Sequence, residues 1–136
     1  MCLLASLSLF VINSGKVPDT EQSVATPKVT TSGIYKQDSK IVTATASWYG
    51  EQFHGRLMAN GQKFNMYDPT TVAHKTLPFG TRVVFVNPEN GVVLSAIVKD
   101  RGPYVKDRSF DLSYAAARKL GFVPEGTARL KVYILS

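Results

Sequence analysis

Residues 82–99 constrain the fold more than any other stretch of this chain. Arg82-Val83-Val84-Phe85-Val86-Asn87 is rich in β-branched and aromatic residues, and Pro88-Glu89-Asn90-Gly91 supplies turn chemistry ending in the favoured Asn-Gly pair. Residues 92–99 then return as a second strand, so a local hairpin is predicted. Residues 41–49 have strand composition and stop at Gly50, and residues 70–74 read as a short strand or a turn. Thr127–Leu135 alternates Ala128, Leu130, Val132 and Ile134 with more polar neighbours, which predicts a closing strand. One helix is expected from Ser113 to Leu120: Ser113 can cap it, Ala115, Ala116 and Ala117 favour it, and Gly121 can end it. Several short strands with one short helix point to a mainly β protein, a compact barrel.

Within the hairpin's second strand, Leu94, Ala96 and Val98 share a face with Asp100, because successive strand residues alternate sides. Asp100 thus continues an apolar row just where Gly102 and Pro103 must end the strand. A carboxylate at such a barrel mouth can serve as a general acid, since its surroundings can hold a proton on it. Equally, a turn aspartate can simply accept hydrogen bonds from nearby backbone. Lys99 and Arg101 flank it, and positive charge opposes a protonated acid unless those side chains turn away, as alternation suggests for Lys99.

With 136 residues there is room for one domain and a tail. Sixteen Lys and Arg against ten Asp and Glu give a net charge of +6, which favours a polyanionic partner. No stretch interleaves basic and aromatic residues densely enough for a nucleic-acid groove. Cys2 is the one cysteine, so no intrachain disulfide can form. It precedes the apolar run 3–12, which is shorter than the roughly 20 residues that span a bilayer. Residues 1–14 read as a signal-like segment for export, although no Lys or Arg precedes the run and a lipid-anchor cysteine would normally follow it. Residues 15–40, rich in Ser, Thr, Lys, Gln and Pro, read as a flexible, disordered linker. The globular domain is expected over 41–136.

Beside Asp100, the groups that can carry chemistry are His54, Gln62, His74 and Asp111. Asp111 precedes the expected helix, where an acidic side chain favours the positive dipole end, so it is read as structural. His54 falls in a loop, where it either binds a sugar or is solvated. His74 is either a hydrogen-bonded core histidine or part of a site. Two histidines twenty residues apart with no second cysteine do not make a metal site, and no cofactor is called for. Trp48, Tyr49, Phe53, Tyr67 and Tyr104 sit near loop ends, where rings can stack on sugars, although most aromatics are core.

Taken together, Ala46-Ser47-Trp48-Tyr49-Gly50, Phe53-His54-Gly55-Arg56, Ala59-Asn60-Gly61, the run 73–81, Asn90-Gly91, Asp100-Arg101-Gly102-Pro103-Tyr104 and Asp111-Leu112-Ser113 closely resemble the rare lipoprotein A (RlpA) family. The match runs over residues 44–135. The resemblance implies a six-stranded double-psi β-barrel with one short helix, and an exported bacterial envelope protein of the periplasm or outer membrane. Several members are endolytic peptidoglycan transglycosylases, often lipoproteins at the septum. It further implies Asp100 as catalytic acid/base and His74 as a residue of the activity. Gln62, Trp48, Tyr49, His54, Arg101 and Tyr104 are the expected substrate contacts. The chain departs from the family pattern at Gln62, where many members have glutamate, at Asn65, where aspartate is common, and in a slightly longer segment before His74.

A glutamine cannot exchange a proton as a carboxylate does. Hydrolytic glycosidases use an acid plus a base or nucleophile. A lytic transglycosylase manages with one acid, because the C6 hydroxyl of the substrate itself attacks C1 to close a 1,6-anhydro ring. Asp100 working alone therefore suits lytic cleavage of the MurNAc–GlcNAc bond better than hydrolysis. The alternative is a non-catalytic, expansin-like module that grips peptidoglycan. The expected partners are peptidoglycan glycan strands and envelope or divisome proteins, with membrane contact through the N-terminal segment or a lipid anchor alone, and the chain is read as a monomer. Many relatives carry a further C-terminal domain for glycan stripped of peptides. None is expected after Ser136, so that preference is not carried over.

Overall fold

A computed structural model describes residues 39–136. The signal-like segment 1–14 and residues 15–38 of the expected linker lie outside the described residues. Six strands are present: β1 (Ser39–Tyr49), β2 (Thr71–His74), β3 (Arg82–Val86), β4 (Val93–Asp100), β5 (Phe110–Ser113) and β6 (Thr127–Leu135). One helix, α1 (Tyr114–Leu120), lies between β5 and β6, and a short 3-10 turn spans Glu51–Phe53. β1 begins two residues inside the segment read as linker, because Ser39 and Lys40 pair with Leu135 and Ile134.

The strands close into a barrel in the order β1-β5-β2-β4-β3-β6. The hairpin β3–β4 is antiparallel as predicted, pairing Phe85 with Leu94. The β1–β5 and β2–β4 pairs are parallel, and these non-local pairings tie the two halves of the chain together. Closure leaves no free sheet edge. The interior is filled by Val72, Val83, Phe85, Ala96, Val98, Phe110, Leu112, Leu130 and Val132, with Ala116, Ala117 and Leu120 of α1 packed against them.

Helix α1 forms as its sequence directs. The Ser113 hydroxyl accepts from the Ala116 N–H, and Gly121 ends the helix in the left-handed region at φ 81°. Asn87 and Asn90 each donate a side-chain hydrogen bond to the Leu120 carbonyl, so the β3–β4 turn satisfies the helix end.

Two expectations are corrected here. Asp111 lies in the middle of β5 rather than in a helix cap, since Ser113 alone caps α1. The second concerns Asp100. Val98 pairs with Val72, but Ala73 pairs with Asp100, so Lys99 is an extra residue and the ladder bulges there. Val72 belongs to the core while Ala73 faces the other side of the sheet. The bulge therefore takes Asp100 off the interior row of Leu94, Ala96 and Val98 and sets it on the Ala73 side.

Candidate active site

The register places four residues in one row across adjacent strands. Ser47 of β1 is opposite Asp111 of β5, Asp111 is opposite Ala73 of β2, and Ala73 is opposite Asp100 of β4. Register partners share a sheet face, so the two carboxyls stand on the same side with the smallest chiral side chain between them. The space left above Ala73 is a cavity of about 340 Å³ lined by Tyr49, Phe53, Ala73, Asp100, Arg101, Gly102, Pro103, Tyr104, Val105 and Asp111. Gly102 forms part of its wall at φ 125°, a backbone conformation that side-chain-bearing residues rarely adopt.

Asp100 is held from three directions. Its Oδ1 accepts from the backbone N–H of Ala59 and of Arg101, both at 2.8 Å, and its Oδ2 accepts from the Tyr49 hydroxyl at 3.4 Å. Tyr49 is stacked on Phe64 with ring centroids 4.1 Å apart and meets Phe53 edge-on. Burial, reinforced by the Asp100 and Asp111 charges, pushes the Tyr49 phenol up, so it stays a hydrogen-bond donor.

Asp111 lines this cavity although the sequence reading took it as structural. Its carboxylate accepts from the buried Ser47 hydroxyl. Burial holds its pKa above the ordinary carboxylate value, and the Asp100 charge adds to this, against opposing contributions from Ser47 and Arg108. Its signal was the alternation Phe110-Asp111-Leu112, a lone acid between two core residues ahead of a residue already able to cap the helix. The cavity thus presents two carboxyls, Asp100 and Asp111.

The flanking cations are both engaged elsewhere. Lys99 Nζ lies 3.0 Å from Asp68 Oδ2 and also donates to Thr70 Oγ1. Burial works to raise Asp68, but hydrogen bonds from the Thr70 side chain and backbone, Lys99 and Thr71 bring it down to about 2. Lys99 is thus withdrawn by an ion pair; the alternation that was expected to separate it from Asp100 is broken at the bulge. Arg101 donates to the carbonyls of His74 and Leu77 and lies 3.9 Å over the Phe79 ring. It lines the cavity while clamping the turn after β2.

His74 is not brought into this cavity. Its ring packs on Phe110 at 4.7 Å, and it lines a separate depression with Thr43, Thr76, Leu77 and Ile134. Nδ1 accepts from the N–H groups of Thr76 and Leu77, so the ring proton sits on Nε2. Burial, with Arg101 and Lys75 nearby, lowers its pKa and keeps it neutral. Gln62 is exposed, with its Oε1 accepting from the Asn60 amide, in the loop whose Ala59 N–H reaches Asp100.

Trp48 is not among the cavity residues: Nε1 donates to the Val123 carbonyl and the ring meets Tyr114 edge-on at 5.5 Å, against the core. His54 is exposed, its Nδ1 accepting from the Met66 N–H, beside rather than in the cavity. Tyr104, 80% exposed, forms the outer lip. Among the described residues no group of three His, Cys, Asp or Glu side chains is placed to hold a metal ion.

A closed six-stranded barrel with two parallel pairs and an acidic cavity on its outer face defines a double-psi β-barrel with a carboxyl-lined cleft. Residues 41–132 match the lytic transglycolase family, and the chain belongs to it. Over 91 residues it is 50% identical to the endolytic peptidoglycan transglycosylase RlpA of Pseudomonas aeruginosa, covering 67% of this chain and 26% of that protein. The chain thus spans about a quarter of that curated relative's length. The fold is also that of a Streptomyces papain inhibitor, with a TM-score of 0.56, 22% identity, and coverage of 71% of this chain and 96% of that one. An expansin of Clavibacter michiganensis shares it equally, with a TM-score of 0.56 and 19% identity, covering 71% of this chain and 51% of that one.

Proposed function

We propose that this chain cleaves peptidoglycan glycan strands as an endolytic lytic transglycosylase, breaking the MurNAc–GlcNAc bond and leaving a 1,6-anhydro end. The observation that carries this reading is the pair of carboxyls, Asp100 and Asp111, facing one open cavity across Ala73. Asp100 delivers a proton to the glycosidic oxygen as the C1–O bond breaks. The C6 hydroxyl of the same sugar attacks C1, and its proton returns to the Asp100 carboxylate, so no water is consumed and the acid is regenerated. An internal nucleophile of this kind brings a proximity advantage of up to about 7–11 kcal/mol. Asp111, whose pKa burial and the Asp100 charge raise, stands beside Asp100 as the second carboxyl of the cavity.

Tyr49 and the Ala59 N–H orient Asp100, and Tyr104, Phe53 and the loop bearing Gln62 border the path of the glycan. His74 acts at a distance as a positioning residue: it holds the Thr76–Leu77 turn, and that turn's carbonyl holds Arg101, the neighbour of Asp100. The substrate class implies export to the bacterial envelope, in the periplasm or at the outer membrane, where divisome or other envelope proteins are candidate partners. The net charge of +6 suits an acidic wall polymer.

The test is digestion of purified peptidoglycan by the whole chain and by Asp100→Asn. Release of anhydro-muropeptides by the parent and its loss in the variant are expected, and equal release would overturn the assignment. The expansin-like barrel favours one second reading, a module that grips glycan without cutting it. Wall binding by the parent with no released sugar would select that reading.

A further inference from the structure

A second cleft, of about 380 Å³, is lined by Tyr67, Tyr114, Ala115, Arg118 and Lys119, and no step above uses it. Its aromatic wall is fixed from behind. Tyr67 is 64% exposed, yet its ring is met edge-on by His54 at 5.7 Å and by Tyr114 at 6.4 Å. Tyr114 in turn meets Trp48, whose indole N–H is tied to the Val123 carbonyl. Ala115 N–H donates to the Met66 carbonyl, and Met66 N–H donates to His54 Nδ1, so the floor of the cleft and the loop carrying Tyr67 are joined. This is a ring presented to solvent on a rigid mount, the geometry that carbohydrate stacking requires.

The opposite wall is cationic. Arg118 and Lys119 are exposed on the last turn of α1, and neither makes an ion pair among the described residues, where Lys99–Asp68 is the salt bridge formed. The helix dipole accounts for two cations at a C-terminus. It does not account for their facing an exposed, immobilised tyrosine.

The cleft is also connected to the acidic cavity. Phe53 lines that cavity, the next residue His54 touches Tyr67, and Tyr67 touches Tyr114, so a line of rings leads from the carboxyls to the two cations. We propose that the Tyr67–Tyr114–Arg118–Lys119 cleft is a remote glycan subsite that takes a sugar bearing a carboxylate, with the ring stacked on Tyr67 and the carboxylate set against Arg118 and Lys119. The occupant is a stretch of the same strand whose cleavage is proposed above, and to that extent the inference rests on that reading.

Binding is measured by titration calorimetry in the whole chain carrying Asp100→Asn, so that no cleavage intervenes. The two probes are denuded peptidoglycan strands, whose muramyl lactyl groups are free carboxylates, and chitin oligosaccharides of matched length, which are neutral. The denuded strands are expected to bind about tenfold tighter, a difference of about 1.4 kcal/mol. Arg118→Glu with Lys119→Glu should remove that preference while leaving chitin binding within twofold. Tyr67→Ala should weaken both probes about tenfold, and Tyr67→Phe should restore them. A preference unchanged by the double charge reversal, or affinities unmoved by Tyr67→Ala, would overturn the proposal. If the parent chain cuts no glycan yet this binding pattern is found, the subsite stands and the catalytic reading falls. If cleavage occurs and the pattern is absent, the reverse holds.

Discussion

Replacing Ser47 with alanine removes the hydroxyl that donates to Asp111 and leaves the surrounding strand pairing of β1 with β5 unaltered. Ser47 is 2% exposed, so water does not readily take its place. A hydrogen bond to an ionised carboxylate contributes about 1.5–3 kcal/mol, and one to a neutral group about 0.5–1.5. Asp111 is part-buried, which sets the expected loss at the lower end, about 2 kcal/mol with the carboxylate charged and about 1 with it protonated. Because the charged form loses more, the replacement moves the Asp111 pKa further upward. The sign follows from the raised folded-state pKa. Stability linked to Asp111 is fully present below its unfolded value and is lost as pH rises through its folded value, and Ser47→Ala enlarges that loss. Urea unfolding at pH 4 and pH 8, followed by the fluorescence of Trp48, the single tryptophan, measures both losses. In an Asp111→Asn background the Ser47→Ala cost should be the same at both pH values. An equal loss at pH 4 and pH 8 in the parent background, or a pH-dependent loss that survives Asp111→Asn, would refute the coupling.

Asp68→Asn removes the main partner of Lys99. Because the folded Asp68 lies near 2, its contribution is present above the unfolded carboxylate value and fades as pH falls toward 2. After discounting for its exposure, the variant should be about 1 kcal/mol less stable at pH 7, with the gap closing below pH 3 in denaturant titrations. For His74 the folded pKa is lowered, so its contribution is present above the unfolded value near neutrality and is lost on acidification. His74→Ala should therefore flatten the fall in thermal stability between pH 7 and pH 5, and an unchanged slope would count against the neutral Nδ1 acceptor. A Cβ on Gly50 would sit 2.8 Å from Trp48 Cζ3. Gly50→Ala should cost about 1–3 kcal/mol in unfolding experiments, and Trp48→Phe in the same chain should recover part of it. Ala73→Val places two methyl groups between the carboxyls; release of anhydro-muropeptides should fall at least tenfold while circular dichroism stays that of the barrel.

The parts of this fold that announce themselves in sequence are those held by local interactions. The β3–β4 hairpin carries its own turn, α1 carries its own caps at Ser113 and Gly121, and β6 alternates over nine residues. β5 has four residues, and its second, Asp111, interrupts the apolar pattern, so it was absorbed into the helix start. The strand order was equally hidden, because β1–β5 and β2–β4 are parallel pairings between segments far apart in the chain. For the site, the motif around Asp100 was legible by resemblance to a family. What the family pattern could not convey is direction. His74 and Trp48 lie in matching motifs yet point at Phe110 and Tyr114, whereas Asp111, read as a cap, points into the cavity.

The bulge at Lys99 has an energetic counterpart in the competing alignment that it excludes. A regular β2–β4 ladder would set Lys99 against Ala73 and slide Asp100 to the position opposite His74, onto the Val98 face of the sheet and away from the Ala73 side. Moving a polar side chain onto that apolar face without its present partners is costly, so the polarity of Asp100 itself guards the bulged alignment. Beside its proposed catalytic part, the polar group at this position thus acts as a register pin, independent of any sugar. Apolar replacements at this position remove both duties at once and confuse a silent site with a slipped strand. Asparagine, which keeps the polarity and the acceptor for the Ala59 and Arg101 N–H groups, separates them.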